Sequence, residues 1–147
     1  MKKVALYTII VLVLIQFIGI DKSAPDLEGS LDFMEIESPP KEIKDLIKGS
    51  CYDCHSYETE YPAYSNFAPI SWSIGSHISN GREHLNFSTW GNYQNEVQKD
   101  LLLKCYKQIG ARQMPLASYL LLHNEAKVQN NQLEEFYTWF KTKSENK

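Results

Sequence analysis

An all-α fold is predicted for this 147-residue chain, and three observations predict it. No run alternates polar and apolar residues with period two. Apolar residues recur instead at helical spacing in several stretches. Proline and glycine punctuate the boundaries between those stretches.

The first stretch follows Lys2-Lys3 and runs from Val4 to Ile20, with only Tyr7, Thr8 and Gln16 as polar interruptions. In helical form it rises roughly 25 Å, close to the ~30 Å hydrocarbon core of a bilayer. A cleaved signal has a shorter apolar run and a small-residue cleavage site, and Phe17-Ile18-Gly19 and Asp21-Lys22-Ser23 are poor ones. Residues 1–20 are therefore expected as an uncleaved transmembrane signal anchor in the cytoplasmic membrane. Its lysines stay inside and the rest of the chain faces the periplasm or the outside. A removed signal, leaving a soluble periplasmic protein, is the alternative.

Residues 21–40 carry Asp26, Glu28, Asp32, Glu35 and Glu37 among small residues and prolines, with Lys22 as the only base. This reads as an acidic, solvated linker that buries too little apolar surface to offset its ordering entropy. An acidic docking strip for a basic partner is the sharper reading.

Residues 41–147 are then one domain with a modest core. Pro39-Pro40 pre-set the first turn of a helix. Ile43, Leu46 and Ile47 share one face of it, and Gly49-Ser50 is expected to stop it. A second helix is expected after Pro69, containing Trp72, Ile74 and Ile78 and ending at Asn80-Gly81. Val97, Leu101, Cys105 and Ile109 define a third helix, with Gly110 as its cap. The last has Asn131 as N-cap, Glu134 three residues on, and Leu133, Phe136, Tyr137 and Phe140 on its buried face. That face is expected to pack across the first helix of the domain. The net charge of −3 points away from nucleic acid and anionic lipid surfaces as partners.

Between the first and second helices of the domain lies Cys51-Tyr52-Asp53-Cys54-His55. This is the C-x-x-C-H pattern of covalent c-type haem attachment. Two thiols at this spacing can each add to a vinyl group on one porphyrin edge, and the next residue offers its imidazole to the iron. A thioredoxin-like disulfide would want a βαβ pattern. A zinc site would want a second ligand pair, and Cys105 stands alone on an apolar stripe, as a buried thiol does. One motif implies one haem c, and its attachment after export agrees with the N-terminus. With such a group the helices suggest a small domain like the class I cytochromes c. The loop Tyr57–Pro69, with Tyr61, Tyr64 and Phe67, is read as a cover for one side of the porphyrin.

The sixth iron ligand decides the function. Met114, beside Pro115 after the third helix, is the leading candidate, with a core gap-filler as its bland reading. His77 is the strongest alternative, His84 and His123 follow, and Met34 lies in the linker. Methionine ligation raises the potential relative to two histidines. Arg82 is a candidate partner for a haem propionate, through its guanidinium fork, or else a solvated turn residue. No catalytic residue is assigned. A peroxidase-like site would want a distal His/Arg pair, for which only His77 and Arg82 stand as candidates.

The chain resembles the small bacterial haem-binding domain family of membrane-anchored, single-haem c-type proteins. The resemblance runs through Ser50-Cys51-Tyr52-Asp53-Cys54-His55-Ser56, Tyr61-Pro62-Ala63-Tyr64, Ala68-Pro69-Ile70-Ser71-Trp72, Gly81-Arg82-Glu83-His84-Leu85-Asn86-Phe87-Ser88 and Met114-Pro115-Leu116. It implies covalent haem on Cys51 and Cys54, His55 on iron, and an exported protein. The family's usual Gly-Glu-Met-Pro is replaced here, since Arg112-Gln113 precede Met114. The expectation is a membrane-tethered electron carrier that meets a redox protein partner transiently. A haem-based gas or redox sensor with a labile sixth ligand is the alternative.

Overall fold

The computed structural model describes all 147 residues, and they are helical throughout, without a strand. Seven α-helices follow in order: α1 Lys2–Leu14, α2 Phe33–Glu37, α3 Lys41–His55, α4 Ile70–His84, α5 Asn95–Gly110, α6 Ala117–Leu120 and α7 Asn130–Glu145. Short 3-10 turns join them, the longest at Phe87–Asn92. The all-α expectation holds.

The expected membrane helix does not form over its whole length. The α-helix ends at Leu14, a 3-10 turn covers Ile15–Phe17, and no helix is long and apolar enough to cross a membrane. The cause is tertiary: the end of the apolar run is tied to the domain. The Gln16 amide donates to the Ala68 carbonyl at 3.0 Å and accepts from the Ala68 N–H at 3.0 Å. The Trp72 indole N–H donates to the Ile18 carbonyl at 2.8 Å.

Residues 21–40 also depart from the solvated-linker reading. Lys22 donates to Ser65 and Asn66 at 2.8 Å each. Asp32 caps α2 by accepting from the Met34 N–H at 2.8 Å, and α2 delivers Phe33 (0% exposed) and Met34 into the core. Phe33 meets the rings of Phe87 and Trp90 edge-on at 4.7 and 4.9 Å. Glu37 is buried as well. It accepts from the Trp90 indole at 2.8 Å and pairs with Lys147 at 2.5 Å, which satisfies its charge. The acidic segment is thus a wall of the domain, with two of its carboxylates used internally.

Helix α3 runs through Gly49-Ser50 and carries the whole Cys51–His55 motif in its last turns. Helix α4 likewise runs through Asn80-Gly81 to His84. Neither pair is a stop: Ser50 is held within α3 by donating to the Ala126 carbonyl at 2.8 Å, with open space around Gly49, and Gly81 packs directly against Cys54 of α3. The periodicity readings of α5 and α7 agree with the structure, α7 starting at Asn130 with Gln129 as its cap. The principal partner of α7 is α5, with only a minor contact to α3. Its Tyr137 ring sits 3.7 Å from the place a Gly110 side chain would occupy. Phe136 and Phe140 fill the space between α7 and the rest of the core.

Candidate haem site

The site is built on the contact between the end of α3 and α4. Cysteines three apart on a helix share a face, with Cβ atoms about 5–6 Å from one another. Cys51, on the stripe of Ile43 and Ile47, presses against the core, as does Cys105. Cys54 lines an adjacent groove of about 200 Å³. All three thiols are free. Burial pushes each upward, Cys54 to about 11 and Cys105 to about 12, with the neighbouring Cys105 adding to the effect on Cys51.

His55 Nδ1 lies 2.9 Å from the Gly81 carbonyl and 3.0 Å from the Leu85 carbonyl. Both partners are acceptors only, so Nδ1 carries the hydrogen and Nε2 keeps its lone pair. Burial outweighs those two bonds and lowers the imidazole's pKa, which favours the neutral form a metal needs. A metal-binding histidine almost always donates its other ring N–H in this way. Phe87 stands edge-on to the ring at 6.4 Å.

This geometry depends on Gly81. A Cβ there would fall 2.5 Å from the Cys54 carbonyl oxygen and 3.3 Å from the Cys54 Cβ. Only a residue without a side chain lets α4 approach the motif closely enough for its carbonyls to reach His55.

The groove continues from Cys54 between α4 and the α6 region. Its lining includes Tyr61, Tyr64, Ile70, Ile74, His77, Leu116, Tyr119, Leu122 and His123. The aromatic loop is therefore a wall of the groove. Of the candidate sixth ligands, His77 and His123 line it. Met114 does not, although its near neighbour Leu116 does. Met114 is half-buried and its N–H donates to the Gln108 carbonyl at 3.3 Å. His84 is exposed at the end of α4, and Met34 is in the core.

His123 is occupied on both nitrogens. Glu125 accepts from Nδ1 at 3.1 Å, and the Tyr64 hydroxyl is 2.7 Å from Nε2. Its ring stacks on Tyr119 at 4.2 Å, and the Tyr119 hydroxyl donates to Asp53 at 2.7 Å. Burial, reinforced by this carboxylate, pushes the Tyr119 phenol upward. Tyr119 thus ties the haem motif to the far wall. Sequence reasoning missed it, and no spacing or motif marks it out.

Arg82 donates from Nε to the Ser56 carbonyl at 2.7 Å and from a terminal nitrogen to the Thr59 hydroxyl at 2.9 Å. Its guanidinium also lies over the Tyr57 ring at 4.6 Å. It braces the loop leaving the motif.

The haem-binding domain family model matches residues 10–142. The chain belongs to that family. No curated protein and no solved structure matches it. The residues present fit the group that the family binds. As a haem-binding domain the chain offers unpaired thiols at attachment spacing, an imidazole with Nε2 free, and an apolar groove beside Cys54. Of the motif's residues Asp53 and Cys54 line the groove, while Cys51 packs against the core and His55 is not among the lining residues.

Proposed function

We propose that this haem-binding domain is an exported, monohaem c-type electron carrier, held at the outer side of the cytoplasmic membrane by its apolar N-terminus. The observation that carries the reading is the pair of carbonyls on His55 Nδ1, directly after two free thiols at attachment spacing. Haem held there supplies a one-electron iron couple.

The chain's own residues orient and shield it. Gly81 and Leu85 fix the imidazole, and thioether bonds from Cys51 and Cys54 would fix the porphyrin edge. Ile74, Ile78 and Leu116 line the groove and would exclude water there, which favours a raised potential through low local dielectric. Met114 is the proposed sixth ligand, one residue pair from the groove wall at Leu116. A transient redox protein is the proposed partner.

The test is expression with a working c-type maturation system. Haem mass retained on the polypeptide after acid-acetone extraction, and lost in Cys51→Ala/Cys54→Ala, supports covalent attachment. Ferric wild-type protein should show a sulfur-to-iron charge-transfer band that Met114→Ala removes. One observation favours a second reading: His77 and His123 line the groove while Met114 does not. In that reading the sixth position is labile and takes a small gas, and the ferric protein is high-spin and binds CO rapidly when reduced.

A further inference from the structure

The apolar run of α1 leads into exposed apolar residues, two of which, Ile70 and Leu122, line the groove. Phe17 (84% exposed) and Ile18 lie where the chain is clamped to α4 by Gln16, Ala68 and Trp72. Phe67 and Ile70 follow on the same edge. Ile70 and Leu122 both line the groove itself, and Leu121 (83% exposed), next to Leu122 in the chain, is open to solvent. Single exposed apolar residues are ordinary, but a grouped set marks an interaction site.

What these residues meet follows from α1. Its apolar side chains are exposed on every side and have no partner within the chain. A helix apolar all round is submerged, unlike the two-faced helices that lie along a surface. From Lys2 to Phe17 the helix and its 3-10 extension rise roughly 26 Å, short of the ~30 Å hydrocarbon core. A segment that is too short thins the bilayer and draws its flanks inward. Here the flank has no slack, since the bonds from Gln16 and Trp72 and the Lys22 contacts leave no spacer between membrane segment and domain.

We propose that Phe17, Ile18, Phe67, Ile70, Leu121 and Leu122 dock on the phospholipid bilayer surface, so that the mouth of the groove faces lipid. This rests on the tether reading above. The domain then sits flush on the membrane, which closes that rim of the site to soluble proteins.

The test uses the full-length holoprotein reconstituted in phosphatidylcholine vesicles, with and without bromine on the acyl chains. Trp72, which bonds Ile18, reports contact, and Trp72→Phe assigns the signal against Trp90 and Trp139. Co-flotation with vesicles together with Trp72 quenching by brominated lipid is expected. Leu121→Ser/Leu122→Ser alters two exposed positions and should leave flotation intact while reducing that quenching about twofold. Flotation without Trp72 quenching overturns the docking face and leaves the tether standing. Failure to float overturns the tether reading and this proposal together.

Discussion

Gly81→Ala is the substitution that most directly tests how His55 is held. The new methyl would lie 2.5 Å from the Cys54 carbonyl oxygen, against an ordinary contact of 3.4 Å or more. The obstruction is helix backbone, so α4 must retreat from α3 by roughly 1 Å, an overpacking strain of about 1–3 kcal/mol. The same retreat stretches the Nδ1 contacts, now 2.9 and 3.0 Å, beyond hydrogen-bonding distance, losing about 1 kcal/mol more. Alanine's better helix propensity returns about 1 kcal/mol. Net destabilisation of about 1–3 kcal/mol is expected, with a changed ferric spectrum as the imidazole loses its orientation. Gly49→Ala is the matched control. It lies within α3 with nothing within 4 Å of its new methyl, so it should stabilise by about 0.5–1 kcal/mol. Urea denaturation of the holoprotein, followed by circular dichroism and by the haem band, reads both variants. If Gly81→Ala is as stable as wild type and its spectrum is unchanged, the α3–α4 approach does not hold His55 and the argument fails.

Three further outcomes are expected. Phe33→Ala should cost about 3–5 kcal/mol in the same urea assay, since the ring is fully buried among Phe87, Trp90, Trp139 and Phe140; a loss under 1 kcal/mol would restore residues 21–40 to the status of a linker. Asp32→Ala removes the cap of α2 and strands the Tyr52 hydroxyl, which donates to it at 2.9 Å, so it should cost about 2–3 kcal/mol against about 1 kcal/mol for Tyr52→Phe. In the haem-free chain, burial keeps the Cys54 and Cys105 thiols protonated to about 11 and about 12, from an ordinary 9.0. The unfolded chain therefore gives up protons first, and stability should fall as pH rises from about 9 toward 11, by up to about 1.4 kcal/mol per pH unit per thiol. Denaturation midpoints at pH 8, 9 and 10 check the slope, and a flat profile would contradict the burial.

What the sequence made legible was whatever rests on local pattern. The motif Cys51–His55, the stripes of α5 and α7 and the aromatic wall around Tyr61 and Tyr64 are each readable within one stretch. What was not legible depends on partners far along the chain. Phe33 and Met34 sit among acidic residues, and only the distant Phe87 and Trp90 make them core. Gly49 and Gly81 look like stops, yet the helices run through both, since a single glycine costs a helix only about 1 kcal/mol, and at Gly81 the missing side chain is what permits the helix contact. The acceptors for His55 are backbone carbonyls, which any residue supplies, so no side-chain signal points to them. Arg82 reads by type as a propionate partner or a solvated turn residue, and its bonds to Ser56 and Thr59 have no local signal in the sequence.

Helix α4 emerges from these contacts as the element that relates the N-terminus to the haem motif. Its first turns carry Trp72 and Gly75, on which Ile18 and Ile20 are seated, the latter 2.9 Å from where a Gly75 side chain would lie. Its last turns carry Gly81 and Arg82, which hold His55 and the loop behind it. Both glycines mark a close approach, but the two obstructions differ in kind. At Gly75 a methyl would meet Cγ2 and Cβ of Ile20, the stiff branch of a side chain on the strap, so the strap itself must move. At Gly81 it would meet the helix backbone of α3. Gly75→Ala should therefore loosen the strap while sparing the haem spectrum, and Gly81→Ala should do the reverse. A helix bearing both contacts also means that a displacement of the strap reaches the carbonyls of residues 81 and 85 without any intervening loop to absorb it.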